Sequence, residues 1–302
     1  MQLGGKAEIQ SGKIRRITNI SLVLNIVLSA AKVIVGVLMN SMALIADGMH
    51  SLSDMATDVA LLVGVHFGSK MPDAKHPYGH GRMETFVAVV IAVVLIIVGL
   101  GLVYRAGYDI VHHRIAEPSI LVIIVAIISI VSKEWLYQAT RKVAKETHSP
   151  ATYANAWHHR SDALSSVAVV LGVGSMYLGF RYGDEIATVA VGIIIAMVGF
   201  SIMSDSVGEF AERAVDQATY DRITGILKAN PAIHTWHKLR TRIVGREIFL
   251  DLHILVDPGL SITRAHEISE QLETSLHDHL DRPVNITVHV EPDTSRPGEQ
   301  GA

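Results

Sequence analysis

The chain has 302 residues, 49% of them hydrophobic and only 18% charged, with net charge −3 and a mean hydropathy of +0.35. Soluble domains carry about 25% charged residues, so this balance points to a membrane domain with a soluble part attached. The chain has no Cys, which excludes a disulfide scaffold, a thiolate metal site and a Cys nucleophile, but it has 16 His, the commonest metal-ligating side chain.

In chain order, residues 1–16 form a basic N-terminal segment. Six apolar runs follow, at 17–39, 42–68, 84–108, 118–140, 152–180 and 186–204. Each is near or above the ~20 residues a helix needs to cross a bilayer, which predicts a six-helix transmembrane domain over 17–206. No small-residue cleavage site closes the first run, so it reads as a span and not as a signal peptide. Lys6, Lys13, Arg15, Arg16, Lys70, Lys75, Arg82, Arg141, Lys142 and Lys145 fall on one side, against Arg105, Arg114 and Arg181 on the other. The positive-inside rule then puts both termini in the cytoplasm of a cell whose inner (plasma) membrane holds the chain.

Several spans carry ionisable groups, which are costly at membrane depth and mark ion or proton paths. His50 and Asp54 in the second run are four residues apart, and His158 and Asp162 in the fifth repeat the spacing. Residues i and i+4 share one helix face. Two helices, each offering an imidazole nitrogen and a carboxylate oxygen, can close the tetrahedral N/O shell that Zn2+ prefers. The competing reading is hydrogen bonding between helices. Asp47 and Asp58 extend the stripe of the second run and read as cavity-lining or packing residues. His159 points about 100° from His158 and is set aside as a ligand. The fourth run carries Lys133 and Glu134.

Between the second and third runs, Asp73, His76 and His80 crowd into eight residues with Pro77, Gly79 and Gly81. Pro and Gly mark a turn, so the three form a candidate loop metal site, with a solvated membrane-flanking loop as the alternative.

Beyond residue 206 the periodicity changes. Residues 216–230 and 262–280 read as amphipathic helices, and 235–243, 247–256 and 284–291 alternate as strands. The order α-β-β-α-β predicts a small two-layer α+β domain over 207–292, followed by a disordered tail at 293–302. Leu252, Ile254, Ile286 and Val288 can face the helices. His253, His289 and Glu291 then share the opposite face, and His237 can join them from the neighbouring strand. Such a face suits a metal site, a subunit contact or ordinary surface histidines. From residue 209 onward 15 acids stand against 10 bases, which suits cations and argues against nucleic acid. There is no HExxH or GxSxG pattern, so no metalloprotease or hydrolase site is indicated.

These residues resemble the cation diffusion facilitator family over nearly the whole chain. SMALIADGMHSLSD (41–54), HPYGHGRMET (76–85), WHHRSDALSS (157–166) and WHKLRTR (236–242) carry the resemblance. It implies six spans followed by a ferredoxin-like cytoplasmic domain, in a homodimer that exports divalent metal, commonly in exchange for protons. It makes the chain a secondary transporter and not an enzyme. Carried over by motif, His50, Asp54, His158 and Asp162 resemble the transport site. Asp73, His76 and His80 match the loop site of bacterial zinc exporters in spacing. His237, His253, His266, His289 and Glu291 resemble the cytoplasmic cluster, where the family often has Asp at the position of Glu291. Two HxxxD motifs resemble the zinc branch, so Zn2+ is the expected cargo, with Co2+, Cd2+, Ni2+, Fe2+ or Mn2+ as alternatives. A metal-binding sensor or scaffold that moves no metal is the other reading.

Overall fold

A computed structural model describes residues 2–38, 55, 57–112, 120–177 and 183–294. His50 and Asp54, half of the expected transport quartet, lie outside the described residues. The chain divides into two compact units, Met1–Val207 and Gly208–Ala302.

The first unit is helical: α1 (Gln2–Leu38), α2 (Thr57–Gly68), α3 (Arg82–Val111), α4 (Ile120–Thr147), α5 (Pro150–Tyr177) and α6 (Gly183–Phe210). Among the described residues, three helices are long and apolar enough to cross a membrane: Ile9–Ala31 within α1, Arg82–Val111, and Glu185–Phe210 within α6. The sequence predicts six. The described part of α2 is a shorter apolar helix, and α4 and α5 are each 28 residues long. The helix α1 begins at Gln2, well before the apolar run does at residue 17. A helix satisfies its own backbone in lipid and water alike, so the end of an apolar run need not end the helix.

Large side chains such as Ile97, Leu100, Met197 and Phe200 are exposed on this unit. An apolar exterior of that kind suits lipid better than water. The interior mixes large aliphatic residues such as Leu61, Ile91 and Leu95 with small ones, among them Ala88, Ala92, Ala151 and Ala154. Where α3 meets α6, a Cβ added to Gly99 would lie 2.6 Å from the Gly192 carbonyl oxygen, and one added to Gly192 would lie 2.7 Å from that of Gly99. Only glycine on both sides permits this backbone approach.

The second unit has the predicted order: α7 (Gln217–Ala229), β1 (Thr235–Val244), β2 (Glu247–Val256), α8 (Ile262–His279) and β3 (Val284–Pro292). The strands β1 and β2 are antiparallel and join through the two-residue turn Gly245-Arg246, with Gly245 at φ 59°, as a tight hairpin requires. The crossover through α8 makes β3 parallel to β2. Apolar residues of both helices, including Ile223, Leu227, Ile268 and Leu272, pack on Leu250, Leu252 and Ile254 of the central strand. The other sheet face is left polar. Asp216 and Ser261 cap the two helices through hydrogen bonds from the backbone N–H of Thr219 and Arg264.

Candidate metal centre

Among the described residues, two places gather three groups able to hold a metal, and a third holds a buried His–Asp pair. On the sheet, pairing register decides the arrangement. His237 lies opposite His253, and His253 opposite His289, so one histidine from each strand falls in a single row. Successive rings are 5.0 and 4.5 Å apart. Glu291 sits among them. Its Oε1 is 2.6 Å from His253 Nδ1 and 3.4 Å from His289 Nε2, and its Oε2 is 3.4 Å from His237 Nε2. The ligand atoms of His237, His253 and Glu291 all lie within 4.8 Å of one another. The hydrogen bond from His253 holds the Glu291 carboxyl below the usual carboxylate range, helped by the charges of His237, His253 and His289.

Plain alternation along β1 does not produce this row. The register shifts between His237 and Arg240, where β1 carries one residue more than β2 and Lys238 adopts φ 51°. This bulge re-aims the side chains on either side of it. The structure does not bring His266 into the row. It lies on α8, exposed, with Nε2 3.4 Å from Glu270 Oε1, although it lines the same groove as Glu291.

In the loop between α2 and α3, Asp73, His76 and His80 also present ligand atoms within 4.8 Å of one another. The backbone N–H groups of Lys75 and His76 donate to Asp73 Oδ1 at 2.8 and 2.7 Å, an Asx turn. These bonds, that from His76 foremost, hold the Asp73 carboxyl below its ordinary range. Asp73 Oδ2 faces His80 Nε2 at 3.5 Å. Gly79, at φ 83°, turns the chain so that the two imidazoles meet with centroids 4.4 Å apart.

In the helical unit, His158 and Asp162 share a face of α5, with His158 Nε2 3.9 Å from Asp162 Oδ2. That nitrogen is buried without a hydrogen-bond partner among the described residues. Sequence spacing does not reveal that Lys133 of α4 reaches the same oxygen and donates to it at 2.8 Å.

A second polar cluster surrounds Asp58, which the sequence marks as a cavity-lining or packing residue. Asp58, fully buried, accepts hydrogen bonds from Ser21 (2.7 Å), Asn25 (3.1 Å) and Asn155 (2.7 Å). His159 Nε2 is 3.6 Å from Asp58 Oδ1 and 3.1 Å from Ser21 Oγ. Residues of α1, α2 and α5 thus surround one carboxylate, and buried charge in a protein is tolerated only when so satisfied. The available signal was the four-residue step that continues from Asp54 to Asp58.

Residues 19–210 match the cation efflux transmembrane domain, and residues 215–293 match the cytoplasmic domain of cation efflux proteins. The chain belongs to the cation diffusion facilitator family. Within that family it is similar to an uncharacterized transporter of Methanocaldococcus jannaschii, at 34% identity over 272 residues, 90% of this chain and 96% of that protein. It is similar to the magnetosome protein MamB of Magnetospira at 30% identity over 269 residues, 89% of this chain and 92% of that one. A metal tolerance protein of Arabidopsis thaliana is 33% identical over 292 residues, and the match spans 92% of this chain but 62% of the plant protein. As a cation diffusion facilitator, the chain is a multi-pass membrane transporter of divalent cations and not an enzyme.

Proposed function

We propose that this cation diffusion facilitator exports Zn2+ from the cytoplasm across the inner (plasma) membrane by exchange for protons. His50, Asp54, His158 and Asp162 form the transport site, opened alternately to either side. The observation that carries this reading is the buried pair on α5: an imidazole nitrogen without a hydrogen-bond partner among the described residues, 3.9 Å from a carboxylate oxygen. Only neutral imidazole can ligate, so metal loading releases protons, and protons from the far side expel the metal. Two imidazoles and two carboxylates suit Zn2+, Co2+ and Ni2+ better than Mn2+. The absence of thiolates suits an ion that must be released again.

The loop trio Asp73, His76 and His80 serves as a second metal site, on the cytoplasmic flank. The tail row His237, His253, His289 and Glu291 binds regulatory metal in a homodimer with both termini in the cytoplasm, and His266 completes that shell only by swinging from its place on α8. The domains run as 1–16, 17–206, 207–292 and 293–302.

The test is metal uptake into proteoliposomes under an imposed pH gradient, with Co2+, Cd2+, Ni2+, Fe2+ and Mn2+ as competitors. Asp162→Ala should reduce Zn2+ uptake to the protein-free background. Uptake at the wild-type rate would refute the transport site, and uptake indifferent to the pH gradient would refute the antiport.

A further inference from the structure

Asp162 Oδ2 has two suitors. Lys133 Nζ donates to it at 2.8 Å, and His158 Nε2 waits 3.9 Å away on the same helix. Both Lys133 and His158 are about 95% buried. A metal held between His158 Nε2 and Asp162 Oδ2 would lie about 2.0–2.2 Å from each. It would therefore sit beside the oxygen that the ammonium now occupies. A dication and an ammonium repel strongly at that separation, more so away from bulk water. That repulsion sets the two in competition for the oxygen, so metal entry favours departure of the lysine.

We propose that Lys133 is a built-in counter-cation of the transport site: it holds Asp162 while the site is empty, yields to the metal ion, and returns when the metal departs. The inference rests on the transport-site reading of Asp162. It assigns Lys133 a positioning role, acting on the metal through its hold on the carboxylate. A buried carboxylate left without proton, metal or counter-charge is costly. The lysine supplies that charge to Asp162 from within the protein. The same contact competes with cargo, which weakens metal binding and speeds release.

A lysine that merely pinned α4 to α5 would have no such effect on the kinetic constants, and this separates the two roles. In Zn2+ flux measurements on proteoliposomes, Lys133→Gln should lower KM about tenfold and lower kcat several-fold, because metal is bound more tightly and leaves more slowly. Lys133→Arg keeps the charge and can grip the carboxylate through two N–H groups, so its KM should equal or exceed that of the wild type. An unchanged or raised KM in Lys133→Gln overturns the inference. Asp162→Ala, run alongside, separates the two failures. If it transports normally, the site reading has failed; if it is inactive while Lys133→Gln keeps wild-type KM and kcat, only the counter-cation role has failed.

The wild-type protein provides a check that needs no variant. Reaction of Lys133 with a membrane-permeant amine reagent, read by peptide mass spectrometry, should rise several-fold when Zn2+ is added. Labelling that is unchanged or slowed by Zn2+ overturns displacement.

Discussion

His253 occupies the middle of the histidine row, hydrogen-bonded to Glu291, with the tilted rings of His237 and His289 on either side. Its removal takes away a proposed ligand and the hydrogen-bond partner of the Glu291 carboxylate. In a full-length background carrying Asp162→Ala and His80→Ala, the tail is the remaining proposed site. There His253→Ala should weaken Zn2+ binding by about tenfold or more, read by calorimetric titration, whereas His266→Ala should change it less than about twofold. A larger effect of His266 would mean that α8 donates to the shell after all. At this scale the sequence was informative only within an element. Spacing of four residues puts His158 beside Asp162, but nothing in a 3.6-residue period says which residue of α4 faces that pair. Lys133 was visible as a charge in an apolar run, not as the partner of Asp162.

At the scale of elements, the tail strands were legible because one face of the sheet is buried and the other is not, so alternation survives in the sequence. The bulge at Lys238 was not, since an extra residue in β1 is defined only by what β2 places opposite it. The two tail helices were announced by their apolar faces. Asp216 illustrates the energetics. Its Oδ1 accepts from the Thr219 backbone N–H at 2.8 Å, and that bond holds its carboxyl below the ordinary range. A depressed carboxyl stabilises the fold above its unfolded pKa of about 3.9 and loses that contribution as pH falls through the lowered folded value. Asp216→Ala should therefore cost α7 about 1 kcal/mol near neutral pH. Amide hydrogen exchange on the full chain would show this as faster exchange in the first turn of α7, and the difference from wild type should shrink in acid. Equal protection at neutral pH would show that the cap contributes nothing.

At the scale of the whole molecule, composition alone separated an apolar part from a polar one, and the chain divides into units at Val207 and Gly208. Apolar runs located the helices but not their ends, as α1 shows by continuing to Gln2. The tail site joins three strands that are separated along the chain, with His237 and His289 at its extremes. Metal held there would bind the folded tail and not the unfolded one. Zn2+ at about a hundredfold its Kd should stabilise the tail by about 2.7 kcal/mol. A chelator should reverse the gain, seen as a lower thermal midpoint for the tail's unfolding. A midpoint blind to both additions would leave the row without a metal.

The paired glycines of α3 and α6 have a mechanical consequence. With Gly99 and Gly192 in mutual backbone contact, the seam works like a keyed joint. A slide of one turn along α3 would bring the side chain of Leu95 or Val103 against a carbonyl that now has room only for hydrogen. Any cycle of motion must therefore carry α3 and α6 as one strut or part them completely, and partial slippage between them is barred.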